Sequence, residues 1–291
     1  MLKVTKEILK KVYPPRKKEV RKYDFGLLLV IGGGQFYTGS PSLAAMAAFR
    51  AGCDMVQILA PKRAADIIAS FSPNLASLPL KGNWLDKEDL ATLVAMTKAA
   101  KVVSRNKAAV VIGGGLGRSE ETKDTVLEYL QQIDVPCVID ADGIHAVAKN
   151  PEVIIKKPFL ITPHSHEFFI LTGQKVEGKP LEEKIKIVQS ESQRLKTSIL
   201  LKGAQDLIAS FMTEEIALNS TGSPYMTKGG TGDTLAGIAG ALLSKNIDCF
   251  TAAQAAAFIN GIAGEKAAEK FGESMLATDL IEEIPNVLAK I

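Results

Sequence analysis

The segment Lys228-Gly-Gly-Thr-Gly-Asp-Thr-Leu-Ala-Gly237 sets three glycines and a carboxylate ahead of an apolar stretch that reads as a helix over 234–243. Glycines let the backbone aim several N–H groups at one point, and a helix N-terminus adds positive partial charge. A phosphoryl group suits such a place. Asp233, in the first turn, is expected to stay ionised beside those N–H groups and to accept the proton of a hydroxyl attacking phosphorus. The plainer reading, a turn followed by an acid that complements the helix dipole, stays open on spacing alone.

Other polar groups end apolar runs. Asp140 and Asp142 follow one such run and can organise water or magnesium near phosphate, or cap a helix over 143–148. Thr162-Pro-His-Ser-His-Glu167 reads as a loop in which His164 donates to a polar substrate or steadies the loop. His164 and His166 sit two apart with no distant third ligand, which argues against a metal site. Lys202-Gly-Ala-Gln-Asp206 either covers a nucleotide phosphate or ribose, or is a hairpin turn. Two familiar nucleotide motifs fail: Gly173 to Lys179 has Walker A spacing but is followed by Pro180, and no glycine cluster has G-x-G-x-x-G spacing.

The elements that must hold these residues alternate. Apolar runs at 26–31, 54–60, 108–112, 136–140, 158–161 and 198–202 read as strands. Helical patterns cover 40–50, 62–71, 87–100, 120–131 and 181–195. Runs such as Leu27-Leu-Leu-Val-Ile31 are continuously apolar, as in strands buried on both faces. The expected fold is α/β, a mostly parallel sheet flanked by helices on both faces. Short strands at 206–209 and 215–218 and three C-terminal helices follow. No linker or repeat divides the chain, so residues 1–291 read as one domain, with ligands beyond the carboxyl ends of the strands.

Of the 291 residues, 46% are hydrophobic and 6% aromatic, a balance that suits helices packed on a sheet. Residues 1–22 carry nine Lys or Arg against Glu7 and Glu19. This basic arm is expected to be a solvated helix or to touch phosphates. No interleaved basic and aromatic residues follow it, so nucleic-acid binding is not expected. Cys53, Cys137 and Cys249 lack metal or disulfide spacing, and no run is long and apolar enough for a membrane span. A cytoplasmic protein is expected.

Eight blocks in order resemble the ADP- or ATP-dependent NAD(P)H-hydrate dehydratases, carbohydrate-kinase-like members of the ribokinase-like fold, in their single-domain archaeal-type form. They are Pro14-Pro-Arg-Lys17 with Lys22 and Gly26, Leu29-Val-Ile-Gly-Gly33, Tyr37-Thr-Gly-Ser-Pro-Ser-Leu-Ala-Ala45, Val111-Ile-Gly-Gly-Gly-Leu-Gly117, Ile139-Asp-Ala-Asp-Gly143, Thr162-Pro-His164 with Glu167, Leu201-Lys-Gly-Ala204 with Asp206, and Gly229-Gly-Thr-Gly-Asp233.

The resemblance implies that ADP or ATP, with Mg2+, phosphorylates the hydroxyl of the S form of hydrated NADH or NADPH. Loss of phosphate then restores the cofactor, leaving AMP or ADP. It implies that Asp233 takes the hydroxyl proton, assisted by Gly230, Thr231 and Gly232. Lys202, Gly203, Ala204, Gln205, Asp206 and Gly232 would meet the nucleotide. Ser40, Gly115, Gly117, His164 and Asp233 would face the hydrated cofactor. The chain departs from the family pattern at Ser40, at Arg21-Lys22-Tyr23 and at Ser165-His166. No companion epimerase domain is expected in the chain, and the resemblance then implies a separate epimerase. A small-molecule kinase releasing a stable phosphate ester and a non-catalytic nucleotide binder are the alternatives. The small residues of 252–268 suggest a homo-oligomer, or internal packing.

Overall fold

The computed structural model describes residues 1–289. A ten-stranded sheet runs in the order β1-β10-β9-β8-β7-β6-β5-β2-β3-β4. The strands are β1 (Leu2–Lys3), β2 (Leu27–Ile31), β3 (Met55–Pro61), β4 (Ala76–Leu80), β5 (Ala108–Ile112), β6 (Cys137–Ile139), β7 (Phe159–Ile161), β8 (Ser198–Leu201), β9 (Asp206–Ala209) and β10 (Ile216–Asn219). The seven strands from β2 to β8 are parallel, while β9 pairs antiparallel with both β8 and β10. The expected α/β fold is therefore present.

Alternate residues of each central strand feed two cores. Leu28 and Val30 pack with Val111 and Ile58 under one helical layer, and Leu27, Leu29 and Ile31 pack with Val110 and Ile112 under the other. Burial on both faces accounts for the unbroken apolar runs. The first layer contains α1 (Glu7–Val12), α2 (Ser40–Arg50), α3 (Lys62–Phe71), α9 (Thr231–Leu243), α10 (Cys249–Phe271) and α11 (Ala277–Leu288). The second contains α4 (Leu90–Val103), α5 (Glu120–Gln132), α6 (Asp142–Lys149), α7 (Ser165–Thr172) and α8 (Leu181–Leu195).

The packing of α2 on α9 positions the site. A Cβ on Gly237 would lie 2.0 Å from the Ala44 carbonyl oxygen, so only a glycine lets the two backbones come this close. Their N-termini then meet at the carboxyl ends of the strands.

The basic N-terminal segment forms a short helix whose Lys and Arg side chains are exposed, seated on the core by a few apolar residues. β1 pairs with β10, and α1 buries Ile8, Leu9 and Val12. Arg16 lies 3.6 Å from the Phe25 ring centre and donates to the Gly52 carbonyl at 3.2 Å. That point is at the amino end of β3, away from the strand ends where ligands gather. Segment 252–268 also resolves to internal packing, with Ala252, Ala253, Ala256, Ile259, Ala263 and Ala267 buried in the core. Among the described residues, no helix is long and apolar enough to cross a membrane.

Candidate active site

The strand order reverses between β2 and β5. The chain runs from β2 outward to β4 on one side, and from β5 through β9 on the other. Such a switch point opens a crevice between the loops that follow its two strands. Here those loops are joined by Gly33 N–H donating to the Gly114 carbonyl at 2.8 Å.

The N-terminus of α9 faces this crevice. Gly230 precedes the helix with φ +99°, and the first N–H groups of any helix lack an intrahelical acceptor. Side chains hold the turn from behind. Thr231 Oγ1 lies 2.7 Å from the Met226 carbonyl oxygen and 3.0 Å from that of Lys228, while Thr234 Oγ1 lies 2.7 Å from Asn260 Oδ1. Asn260 Nδ2 in turn donates to the Thr231 carbonyl at 3.3 Å. The Thr231 hydroxyl is thus committed to the turn, as is its N–H, which donates to the Lys228 carbonyl at 3.4 Å.

Asp233 sits in the first turn and accepts a hydrogen bond from Ser40 Oγ. Burial pushes its carboxyl up to about 7; the Ser40 hydrogen bond opposes this, the Asp140 charge adds to it, Lys202 opposes it and Asp142 adds to it. Against the expectation of full ionisation stand this burial and the Asp140 and Asp142 charges, which raise its proton affinity. Near neutral pH the group is poised to exchange a proton.

Lys202 follows β8. Its Nζ donates to Asp140 Oδ1 at 2.8 Å, lies 3.8 Å from Glu167 Oε2, and would be 3.5 Å from a Cβ on Gly232. Burial draws its pKa down, but the Asp140 and Glu167 carboxylates outweigh burial and hold it above the ordinary value. A lasting positive charge therefore stands beside the start of α9.

Asp140 and Asp142 point apart because Ala141 between them has φ +48°, a conformation that a non-glycine residue holds only against strain. Asp140 Oδ1 also accepts from Thr162 Oγ1 at 2.8 Å, whereas Asp142 accepts from Gly117 N–H at 2.9 Å and Arg118 Nε at 2.6 Å. One carboxylate is matched to Lys202 and the other pins the glycine loop. Neither caps α6, which has no side-chain cap bond.

A cavity of about 840 Å³ opens between the α9 N-terminus and the turn from β8 to β9, lined by Lys202, Gly203, Ala204, Asp206, Gly230, Thr231, Gly232 and Asn260. Gln205 is not in its wall and donates to Ser220 Oγ at 3.2 Å. Asp206 fixes the turn by accepting from Gly203 N–H at 3.1 Å and Asn219 Nδ2 at 3.0 Å, and burial pushes its carboxyl up to about 6.

His164 also lines this cavity rather than the loop of Gly115 and Gly117. The expected loop around it is in fact the start of α7, with His164 as its cap. Its Nδ1 accepts from the N–H groups of His166 and Glu167, and Glu167 Oε2 accepts from His164 N–H at 2.9 Å. Among the described residues, no three His, Cys, Asp or Glu side chains gather where they could hold a metal.

On the other side of Asp233 a small hollow is lined by Gly32, Ser40, Gly114 and Asp140. Tyr37 and Trp84 lie over the adjoining glycine loop. A Cβ would approach Tyr37 Cβ to 2.8 Å at Gly115 and Trp84 Cζ3 to 2.9 Å at Gly117. Both rings are partly open to solvent, as is Phe36. Sequence reasoning assigned no role to Phe36, Trp84, Thr234 or Asn260. The chain's lone tryptophan was a usable clue, whereas Asn260 lies inside an alanine-rich helix with nothing local to mark it.

With this arrangement in place, comparison decides the family. The profile of a family described as NAD(P)H-hydrate dehydratase matches residues 28–286. The chain belongs to the NAD(P)H-hydrate dehydratase family.

The match begins at β2 and ends in α11, so β1 and α1 lie outside it. A protein of Nitrosopumilus maritimus named ADP-dependent (S)-NAD(P)H-hydrate dehydratase is 36% identical over 288 residues, 98% of this chain and 96% of that one. The bifunctional NAD(P)H-hydrate repair enzyme Nnr of Pyrobaculum aerophilum is 38% identical over 277 residues, 94% of this chain and 53% of its own length. The chain thus spans about half the length of the Nnr relatives it matches. Among solved structures, the ADP/ATP-dependent NAD(P)H-hydrate dehydratase of Bacillus subtilis, co-crystallised with ATP and Mg2+, superposes with a TM-score of 0.78. It is 26% identical and covers 99% of this chain and 98% of that one. A ribokinase-like superfamily protein of Enterococcus faecalis, 23% identical and covering 100% of this chain and 96% of that one, superposes with a TM-score of 0.83, so the fold is ribokinase-like.

Proposed function

We propose that the protein restores NADH or NADPH from the S form of their hydrates at the expense of a nucleotide, ADP or ATP. The observation that carries this reading is the meeting of Asp233, Lys202 and the N-terminus of α9 at the mouth of a nucleotide-sized cavity. Full-length similarity to a relative named as ADP-dependent favours ADP.

The nucleotide occupies the cavity, with its terminal phosphate at the backbone of Gly230 and Gly232 and beside Lys202. The turn of Gly203 and Ala204, braced by Asp206, covers it, and His164 closes the same wall. The hydrated ring lies on the side of Ser40, with the rest of the dinucleotide along Gly115 and Gly117 under Tyr37 and Trp84. Its hydroxyl oxygen attacks the terminal phosphorus as Asp233 takes the hydroxyl proton, and AMP leaves when ADP is the donor. The phosphorylated carbon then loses phosphate, a neighbouring carbon loses a proton, and the ring double bond returns. Preorganised N–H groups and the Lys202 cation stabilise the charge gathered on the phosphoryl oxygens.

The described carboxylates do not build a magnesium cage, since Asp140 is engaged by Lys202 and Thr162 and Asp142 by Gly117 and Arg118. Mg2+ fits this site as an ion carried on the nucleotide phosphates with its waters. Bound that way, it would offset phosphate charge.

A functional link to a separate epimerase acting on the other hydrate epimer is part of the same proposal. Three cysteines without disulfide partners suit the cytoplasm. Self-association of the protein uses a surface other than the buried side of α10. Return of dihydronicotinamide absorbance together with inorganic phosphate, from hydrated NADH, Mg2+ and ADP or ATP, tests the proposal. A stable phosphate ester without cofactor recovery would mark a kinase instead.

A further inference from the structure

We propose that Ser40 is a positioning residue that sets the proton affinity and the aim of Asp233, rather than a donor to the substrate. The inference rests on the reading of Asp233 as the proton acceptor. A serine hydroxyl has one proton to give, and Ser40 gives it to Asp233 Oδ1. A donor to one carboxylate oxygen stabilises the charged form and leaves the second oxygen for an incoming hydroxyl.

The fold enforces this pair. Ser40 is the first residue of α2 and Asp233 lies in the first turn of α9, so the contact joins two helix N-termini 193 residues apart. A Cβ on Gly114 would lie 2.1 Å from Ser40 Oγ and 2.6 Å from Asp233 Oδ1, so the third neighbour must lack a side chain. The far end of α2 is held as well. Its Ala51 carbonyl accepts from Tyr13 Oη at 2.9 Å and Lys245 Nζ at 3.0 Å.

The charged groups facing Asp233 come from three elements. Asp140 after β6 and Asp142 on α6 oppose its ionisation, and Lys202 after β8 favours it. Lys202 is shared with Asp140 and Glu167. Ser40 is the neutral donor that opposes the pull of burial.

The test follows the Asp233 carboxyl directly by carbon-13 NMR against pH in the full chain. Wild type, Ser40→Ala and Ser40→Thr are compared, with Asp233→Asn assigning the resonance. The expected result is a titration midpoint about one pH unit higher in Ser40→Ala, from loss of a charge-assisted hydrogen bond, and near wild type in Ser40→Thr. In the dehydratase assay, the acidic limb of kcat moves by the same amount. The Ser40→Ala variant is then about tenfold slower at about pH 6, its deficit shrinks as pH rises, and Ser40→Thr follows the wild-type profile. An unchanged midpoint overturns the proposal, as does a loss of kcat that is equal at every pH. If wild type does not dehydrate hydrated NADH, the functional reading fails by itself, and the NMR titration still decides the role of Ser40.

Discussion

Replacing Asp233 by asparagine should make the fold more stable and the enzyme inactive, and the gain in stability should depend on pH. Asparagine keeps the shape and an acceptor for the Ser40 hydroxyl, but removes the charge that burial disfavours. Burial pushes the Asp233 carboxyl from 3.8 to about 7. Between those values the folded chain holds a proton that the unfolded chain has released, so folding stability is lost as pH rises through the folded-state value. At about 1.36 kcal/mol per pH unit, the full difference is up to about 4 kcal/mol above pH 7 and close to zero below about pH 4. Asp206, raised to about 6 in the same direction, remains in both proteins and cancels in the comparison. Urea denaturation of wild type and Asp233→Asn at about pH 4, 6 and 8 measures the difference. A gap that widens with pH in favour of the variant is expected. A gap independent of pH, or a variant less stable at about pH 8, would refute the account of Asp233 as a buried, strained carboxylate.

Three further outcomes are expected. Lys202→Met should weaken nucleotide binding by at least tenfold in titration calorimetry. It should also destabilise the fold by about 3 kcal/mol, because Asp140 and Glu167 lose the cation they share. Gly237→Ala should cost about 1–3 kcal/mol in denaturant unfolding and most of the activity, since the new methyl meets the Ala44 carbonyl and parts α2 from α9. Trp84→Ala should raise KM for hydrated NADH by about tenfold while leaving KM for ADP near wild type, as removal of a ring that stacks only on the dinucleotide would do.

The parts of the fold that were legible in the sequence are those where one local pattern decides. The five apolar residues of β2 and the helix over 40–50 were readable because burial on both faces and helical periodicity leave plain patterns. β4 was not, since it is an edge strand that contains Pro79 and leaves Ala76, Leu78 and Pro79 exposed, so neither alternation nor propensity points to a strand. α7 was missed for a different reason. It is only eight residues long and apolar on most sides, and its cap is a histidine rather than the usual serine or aspartate.

At the site, the glycine turn before Asp233 and the turn after Lys202 announced themselves by residue type. Their partners did not. The Ser40 contact depends on how α2 crosses α9, and the charge state of Asp233 depends on burial, neither of which is a property of neighbouring residues in the chain. The basic residues of 1–22 likewise suggested a solvated helix or an arm touching phosphates, because charge dominates their composition. The few apolar positions Ile8, Leu9 and Val12 are what seat that segment on the core.

The central claim is that Asp233 carries proton transfer in a nucleotide-driven dehydration. The most direct measurement incubates wild type and Asp233→Asn with hydrated NADH, Mg2+ and ADP, following dihydronicotinamide absorbance and phosphate together, with nucleotide binding measured in parallel. The account predicts that wild type recovers NADH with one phosphate released per cofactor, and that the variant binds ADP normally but is slower by at least about a thousandfold. Turnover by Asp233→Asn within about tenfold of wild type would contradict it.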